Sequence, residues 1–171
     1  MALHYLLDGY NIIKRVPSLA KLPWEDGRAN LIKIIENENP QGSNNNKVTV
    51  LFDGRPGRID TPSTVQVKVA FTGDHSADDG IKKIVDGAVN KKSYVVVTDD
   101  RELGYYVRGL GAKILGVGEF LMKVKSHQDK KYLEKGSGAN KEAKVIPANL
   151  EQQITTELKQ IWLDKKKDQN R

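Results

Sequence analysis

The chain has 171 residues, 38% of them apolar, no cysteine, and a formal net charge of +6 from 28 Lys/Arg and 22 Asp/Glu. This length suits one domain with its own core, and the lack of cysteine excludes a disulfide framework, a thiol nucleophile and a cysteine-bound zinc. Apolar runs stay well short of the roughly 18 residues of a membrane span, and the chain opens as a strand without a basic leader, so a cytoplasmic protein with no membrane partner is the expectation.

Residues 4–8 form a short apolar run that ends on Asp8, and the pattern predicts a strand. Asp8-Gly-Tyr-Asn11 follows, where Gly9 permits a tight turn or a close backbone approach to a ligand. Residues 26–38 place Ile32 and Ile35 on one helical face, widened by Leu31 and Ile34. Residues 41–46 are a polar loop. A second strand at 47–52 runs into Asp53, and 54–58 is a Gly/Pro turn that carries Arg55 and Arg58. Residues 65–71 alternate strictly, as a half-exposed strand does. A helix at 77–89 gathers Ile81, Ile84, Val85 and Ala88. The apolar run 93–98 suits a central parallel strand, a short helix spans 101–110, and a last strand lies at 112–115. Strands alternating with helices indicate an α/β fold with a mostly parallel sheet.

Beyond that body the composition changes. Residues 126–144 are polar and rich in lysine, and Pro147 opens a final helix with Ile154, Leu158, Ile161 and Trp162 as an apolar stripe. The expected organisation is a domain over 1–124, a basic linker or loop over 125–146, and a helix with a basic tail over 147–171. Residues 1–121 hold 16 Lys/Arg against 15 Asp/Glu, whereas residues 122–171 hold 12 against 7. A basic tail on a neutral body points to a polyanion partner.

The functional signal is the position of the acids. Asp8, Asp53 and Asp100 each lie just beyond a predicted strand, and Asp78 falls in the first turn of a predicted helix. In open α/β sheets the crevice outside the carboxyl ends of the strands is the binding site. Carboxylates that meet there repel and lose hydration, so they need a cation or a raised pKa. Hard oxygen donors suit Mg²⁺, or Mn²⁺ in its place, and such an ion activates water and neutralises charge growing on a phosphate. Helix capping accounts for other acids. Ser76-Ala-Asp-Asp79 matches a capping box, and Asp99 with Glu102 repeats the spacing. Asp79, Asp99 and Glu102 are therefore assigned to helix starts, which leaves Asp78 and Asp100 to face the crevice. Asp53 before Gly54 fits either a turn or a ligand role. Asn11 fits a phosphate contact, a hydrogen bond to Asp8, or a helix cap. No dinucleotide fingerprint, P-loop or nucleophile elbow is present.

Leu7-Asp-Gly-Tyr-Asn-Ile12, Val50-Leu-Phe-Asp-Gly54, Phe71-Thr72 with Ser76-Ala-Asp78, and Val97-Thr-Asp-Asp-Arg101, in this order, resemble the YacP-type NYN domain, a relative of the PIN nucleases. Gly111-Ala112 and Gly118-Glu-Phe120 continue the likeness, which covers residues 3–124. It departs at Ser76, where the family often has Thr, and at the additional acid Asp99. The resemblance implies a three-layer α/β/α PIN-like fold and a metal-dependent endoribonuclease. It places Asp8, Asp78 and Asp100 as the catalytic and metal-binding acids, with Asn11 beside them and Asp53 as a further ligand. The family includes an endonuclease that cuts mRNA in the ribosomal A site, which implies mRNA and the translating ribosome as partners and mRNA decay as the role. An acidic centre repels RNA, so Arg55, Arg58, Arg101, Arg108 and the lysines of the tail are expected to hold its backbone. Tyr10, Tyr105 and Tyr106 are expected to stack on bases. The alternative is a noncatalytic RNA- or ribosome-binding module on the same scaffold. Retention of the strand-end acids argues against it.

Overall fold

The computed structural model describes residues 2–56 and 66–123, with Thr156 alone beyond them, helical and exposed. The expected linker over 125–146, the rest of the C-terminal segment and Arg58 lie outside the described residues. In chain order the elements are β1 (His4–Asp8), α1 (Gly9–Arg15), α2 (Pro17–Ala20), α3 (Trp24–Glu38), β2 (Lys47–Phe52), β3 (Val67–Phe71), α4 (Ala77–Asp86), a 3₁₀ turn (Lys91–Ser93), β4 (Tyr94–Val97), α5 (Arg101–Gly109) and β5 (Lys113–Leu115). Residues 117–123 are helical again and are called α6.

The five strands pair in the order β3-β2-β1-β4-β5, and every strand pair is parallel. Successive side chains leave a strand on opposite faces, and here both faces are apolar. Tyr5, Leu7, Val48, Val50, Phe52, Val95 and Val97 pack with α1, α2, α3 and α6 in one core. Leu6, Leu51 and Val96 pack with Ile81 and Val85 of α4 and Leu103 and Val107 of α5 in the other. A parallel sheet covered by helices on both sides is the three-layer α/β/α arrangement expected from the sequence.

Two elements depart from the sequence reading. A helix after Asp8 was only one of the readings of Asn11 and none was expected at Pro17, yet α1 and α2 fill that span and α3 begins at Trp24. Pro17 holds Val16 extended, at φ −111° and ψ 99°, and so ends α1 while opening α2. Helices of 7 and 4 residues carry too few turns for a periodic apolar pattern to register.

The strand order reverses between β1 and β4, since the chain first builds outward through β2 to β3 and then returns to the other side. A crevice opens at the carboxyl ends where the order reverses. Asp8, Asp53 and the segment 98–100 all lie at that edge.

Candidate active site

Each acid at the strand ends is fixed by a backbone amide. The Asn11 N–H donates to Asp8 Oδ1 at 3.0 Å, which makes Asp8 the cap of α1. The Leu103 N–H donates to Asp100 Oδ1 at 2.9 Å, which makes Asp100 the cap of α5. The Ala77 N–H donates to Asp53 Oδ1 and ties the end of β2 to the start of α4. An aspartate at a helix start is favoured by the free N–H groups there and by the helix dipole. The same contacts stop each carboxylate from turning away from the crevice.

Asp78 differs. Ser76 Oγ caps α4 by accepting from the Asp79 N–H at 3.0 Å, as the capping-box spacing predicts. Asp78 is thereby half-buried in the first turn and left to the other acids. Burial raises its pKa above the usual carboxylate value, and the charges of Asp8, Asp100 and Asp53 raise it further, against Lys82. Asp8 is raised for the same kind of reason: burial first, then Asp53, opposed by the Asn11 amide and Lys14. The structure therefore brings Asp8, Asp53, Asp78 and Asp100 into one electrostatic centre.

The neighbouring acids take other roles. Asp99 does not cap α5, as its spacing to Glu102 suggested. Its Oδ1 accepts from the Val117 N–H at 3.1 Å and its Oδ2 meets Arg15 at 2.9 Å, so it ties β4 to α6 and α1. Asp100, which the capping argument left free, is the cap instead. A contact across 18 residues outweighed a local pattern. Thr98 is buried and accepts the Asp100 N–H at 3.0 Å, so it shapes the turn.

The other sequence candidates surround this centre unevenly. Asn11 is half-buried in the first turn of α1, its N–H on Asp8. Tyr10 is half-buried, and its hydroxyl accepts from Arg28 at 3.1 Å. Arg101 and Arg108 are exposed on α5, together with Tyr105 at 72% and Tyr106 at 45% exposure. Arg55 is exposed and lies 3.6 Å from Asp74. Gly9 lets the backbone lie close against protein: a Cβ there would run into the Phe52 ring. Trp24 and Arg28 were passed over in the sequence. The available signal was an arginine spaced with Leu31, Ile32 and Ile35 on the apolar face of α3.

An ion can be tested against this donor set. The centre offers four hard carboxylates whose mutual repulsion a divalent cation would relieve. Among the described residues no group of three or more His, Asp or Glu side chains is close enough to enclose a metal. Mg²⁺ commonly keeps several waters and takes one or two carboxylates, so the donors fit a largely hydrated ion rather than a protein cage.

The description YacP-like NYN domain matches residues 5–162. The chain belongs to this family. Among solved structures the NYN chain is similar to Rae1 (YacP) from Bacillus subtilis, with 27% identity, a TM-score of 0.65 and coverage of 80% of each chain. It is likewise similar to a tryptophan-to-leucine mutant of that protein, with 28% identity, a TM-score of 0.63 and coverage of 78% of this chain and 82% of that one. No match was found among curated proteins. Among the described residues of the NYN chain, no helix is long and apolar enough to cross a membrane.

Proposed function

We propose that the chain is a metal-dependent endoribonuclease that hydrolyses RNA phosphodiester bonds, with mRNA on the translating ribosome as its substrate in the cytoplasm. The observation that carries this reading is the placement of Asp8 and Asp78, both half-buried, at the topological switch of the sheet, where burial and the neighbouring acids push both above the usual carboxylate range. Such a placement is costly unless used, and it marks a functional site. Family membership and the likeness to Rae1 support the same reading.

In this account Asp8 and Asp78, with Asp53 and Asp100 beside them, hold Mg²⁺ or Mn²⁺. When bound, the ion supplies an activated water and offsets the negative charge that grows on the phosphate. The caps at Asp8 and Asp100 hold the acids in place before substrate arrives. In the absence of a cation, a proton on Asp8 or Asp78 relieves the repulsion, so cation and proton compete for the same oxygens. Asn11 meets the substrate beside Asp8. Arg101 and Arg108, exposed on the helix that Asp100 caps, hold the RNA backbone as nonspecific positioners, and Arg55 and Arg58 extend that role. We assign this activity to residues 1–124, with 125–146 as a basic linker or loop and 147–171 as a C-terminal helix and basic tail.

A second reading, a noncatalytic RNA- or ribosome-binding module, is favoured by the lack of a close three-acid group among the described residues. Cleavage of a labelled mRNA decides between them, with the protein alone and with translating ribosomes, in Mg²⁺, Mn²⁺ and EDTA. The nuclease reading expects cleavage that EDTA abolishes and that a DNA copy of the substrate does not undergo. Bound but intact RNA in every condition establishes the module.

A further inference from the structure

One corner of the molecule gathers four aromatic rings around a buried arginine. Trp24, the first residue of α3, is 56% exposed, although α3 already buries Leu31, Ile32, Ile34 and Ile35. Its ring meets Tyr10 edge-on at 5.0 Å and 82°. Tyr10 in turn meets Phe52 edge-on at 5.2 Å, and Phe52 lies 5.8 Å from Phe71. Beneath this row sits Arg28, only 5% exposed. Its guanidinium lies 5.9 Å from the Phe52 ring and 5.3 Å from the Phe71 ring. Nη1 donates to the Tyr10 hydroxyl at 3.1 Å, and among the described residues Nε has no hydrogen-bond partner. No carboxylate among the described residues pairs with this cation.

A buried guanidinium with no carboxylate partner among the described residues is costly, and a mostly exposed tryptophan forgoes burial of the largest apolar side chain. Together they yield an aromatic corner whose tyrosine is clamped and whose tryptophan stands open to solvent. This corner begins two residues after Asp8 and rests on Phe52, the residue before Asp53. Tyr10 stands in the first turn of the helix that Asp8 caps, so the corner adjoins Asp8. Its charge selects what can bind. Glu25 and Asp26 follow Trp24 in the same turn and disfavour a phosphate, whereas a base is neutral and has a π face.

We propose that Trp24 and Tyr10 form a stacking subsite for one unpaired RNA base beside the scissile phosphate, with Arg28 as the positioning residue that fixes Tyr10. This rests on the ribonuclease reading and adds to it a required feature of the substrate: an unstacked base at a set distance from the cut.

The test is fluorescence anisotropy of the full chain with a labelled single-stranded oligoribonucleotide in EDTA. A single abasic nucleotide is walked along the strand, and Trp24→Ala and Trp24→Phe are compared with the wild type after melting curves show them folded. At one position the abasic site weakens wild-type binding between about 5-fold and about 100-fold. Trp24→Ala loses a similar factor on intact RNA and nothing more at that position, and Trp24→Phe keeps most of the affinity. Unchanged binding by Trp24→Ala, an undiminished abasic penalty in it, or an equal loss on every RNA overturns the subsite. So does a Trp24→Ala defect seen only with ribosomes, which would assign the ring to a protein contact. Cleavage of labelled mRNA in Mg²⁺, with and without translating ribosomes and measured in parallel, separates the two readings. A Trp24-dependent abasic penalty without cleavage keeps the subsite and defeats the nuclease, and cleavage without that penalty does the reverse. A wild type that binds no RNA overturns the subsite.

Discussion

Replacing Asp8 separates its structural role from its chemical one. Asp8 caps α1 through the Asn11 N–H and also bears charge that burial and Asp53 destabilise. Asp8→Asn keeps the cap, because Asn caps helices about as well as Asp, and it removes the charge. Asp8→Ala removes both. The relief of repulsion is common to the two variants, so their difference in stability is the cap alone, about 1 kcal/mol. For a chain of this size that is a separation of about 2–4 °C in melting temperature. The pH dependence has a definite sign. A raised folded pKa means that the native state holds its proton to higher pH than the unfolded chain does. Wild-type stability therefore falls as pH rises through that window, and the penalty remains in full above it. Asp8→Asn escapes the penalty, so it melts above the wild type at neutral pH, and its advantage fades as the pH drops below the usual carboxylate range. Both variants lose RNA cleavage. The assay is thermal unfolding from acid to neutral pH beside cleavage of labelled mRNA. An Asn variant that melts with the Ala variant, falls below the wild type at neutral pH, or still cleaves would refute the reasoning.

Other expectations follow from the same geometry. Gly9→Ala places a Cβ against the fully buried Phe52 ring and should cost at least about 1–3 kcal/mol, read as a lower urea midpoint; an unchanged midpoint contradicts it. Asp99→Ala frees the Val117 N–H and Arg15 and should cost about 1–2 kcal/mol while cleavage persists; a folded variant without cleavage would move Asp99 into the site. Arg101→Gln and Arg108→Gln should each weaken RNA binding across sequences and reduce the salt slope by about one; an unchanged slope removes them from the interface. Cleavage should fail on the acid side at a pH above the usual carboxylate range, because Asp8 and Asp78 must ionise and both are raised. An acid limb at or below that range speaks against their role.

Much of the fold was legible because its signals are local. Apolar runs and one alternating segment marked the five strands found among the described residues, and the helices α3, α4 and α5 carry apolar faces that repeat every three or four residues. The acids at the strand ends were legible for the same reason, since a strand end and the residue after it are neighbours in sequence. What escaped depends on distance or brevity. Gly9 read as a turn or ligand contact because nothing in Asp8-Gly-Tyr-Asn11 announces Phe52 behind it. Asp99 and Asp100 were exchanged because their capping spacings differ by one residue, and Val117 and Arg15, remote in sequence, decide between them. Trp24 and Arg28 acquire meaning only when α1, β2 and β3 supply Tyr10, Phe52 and Phe71.

On the nuclease reading, four acids at the sheet's edge act as one metal-dependent centre. Asp78 tests it most directly, because Ser76 holds the α4 cap and leaves Asp78 without that duty. The measurement is single-turnover cleavage of one labelled RNA by the wild type and Asp78→Asn across a range of Mg²⁺ concentrations, with EDTA as the zero point. The account predicts wild-type cleavage that requires the ion, and a variant that stays folded, melts no lower than the wild type and cleaves at no concentration. Cleavage by the variant at the wild-type rate, or wild-type cleavage that survives EDTA, would contradict it.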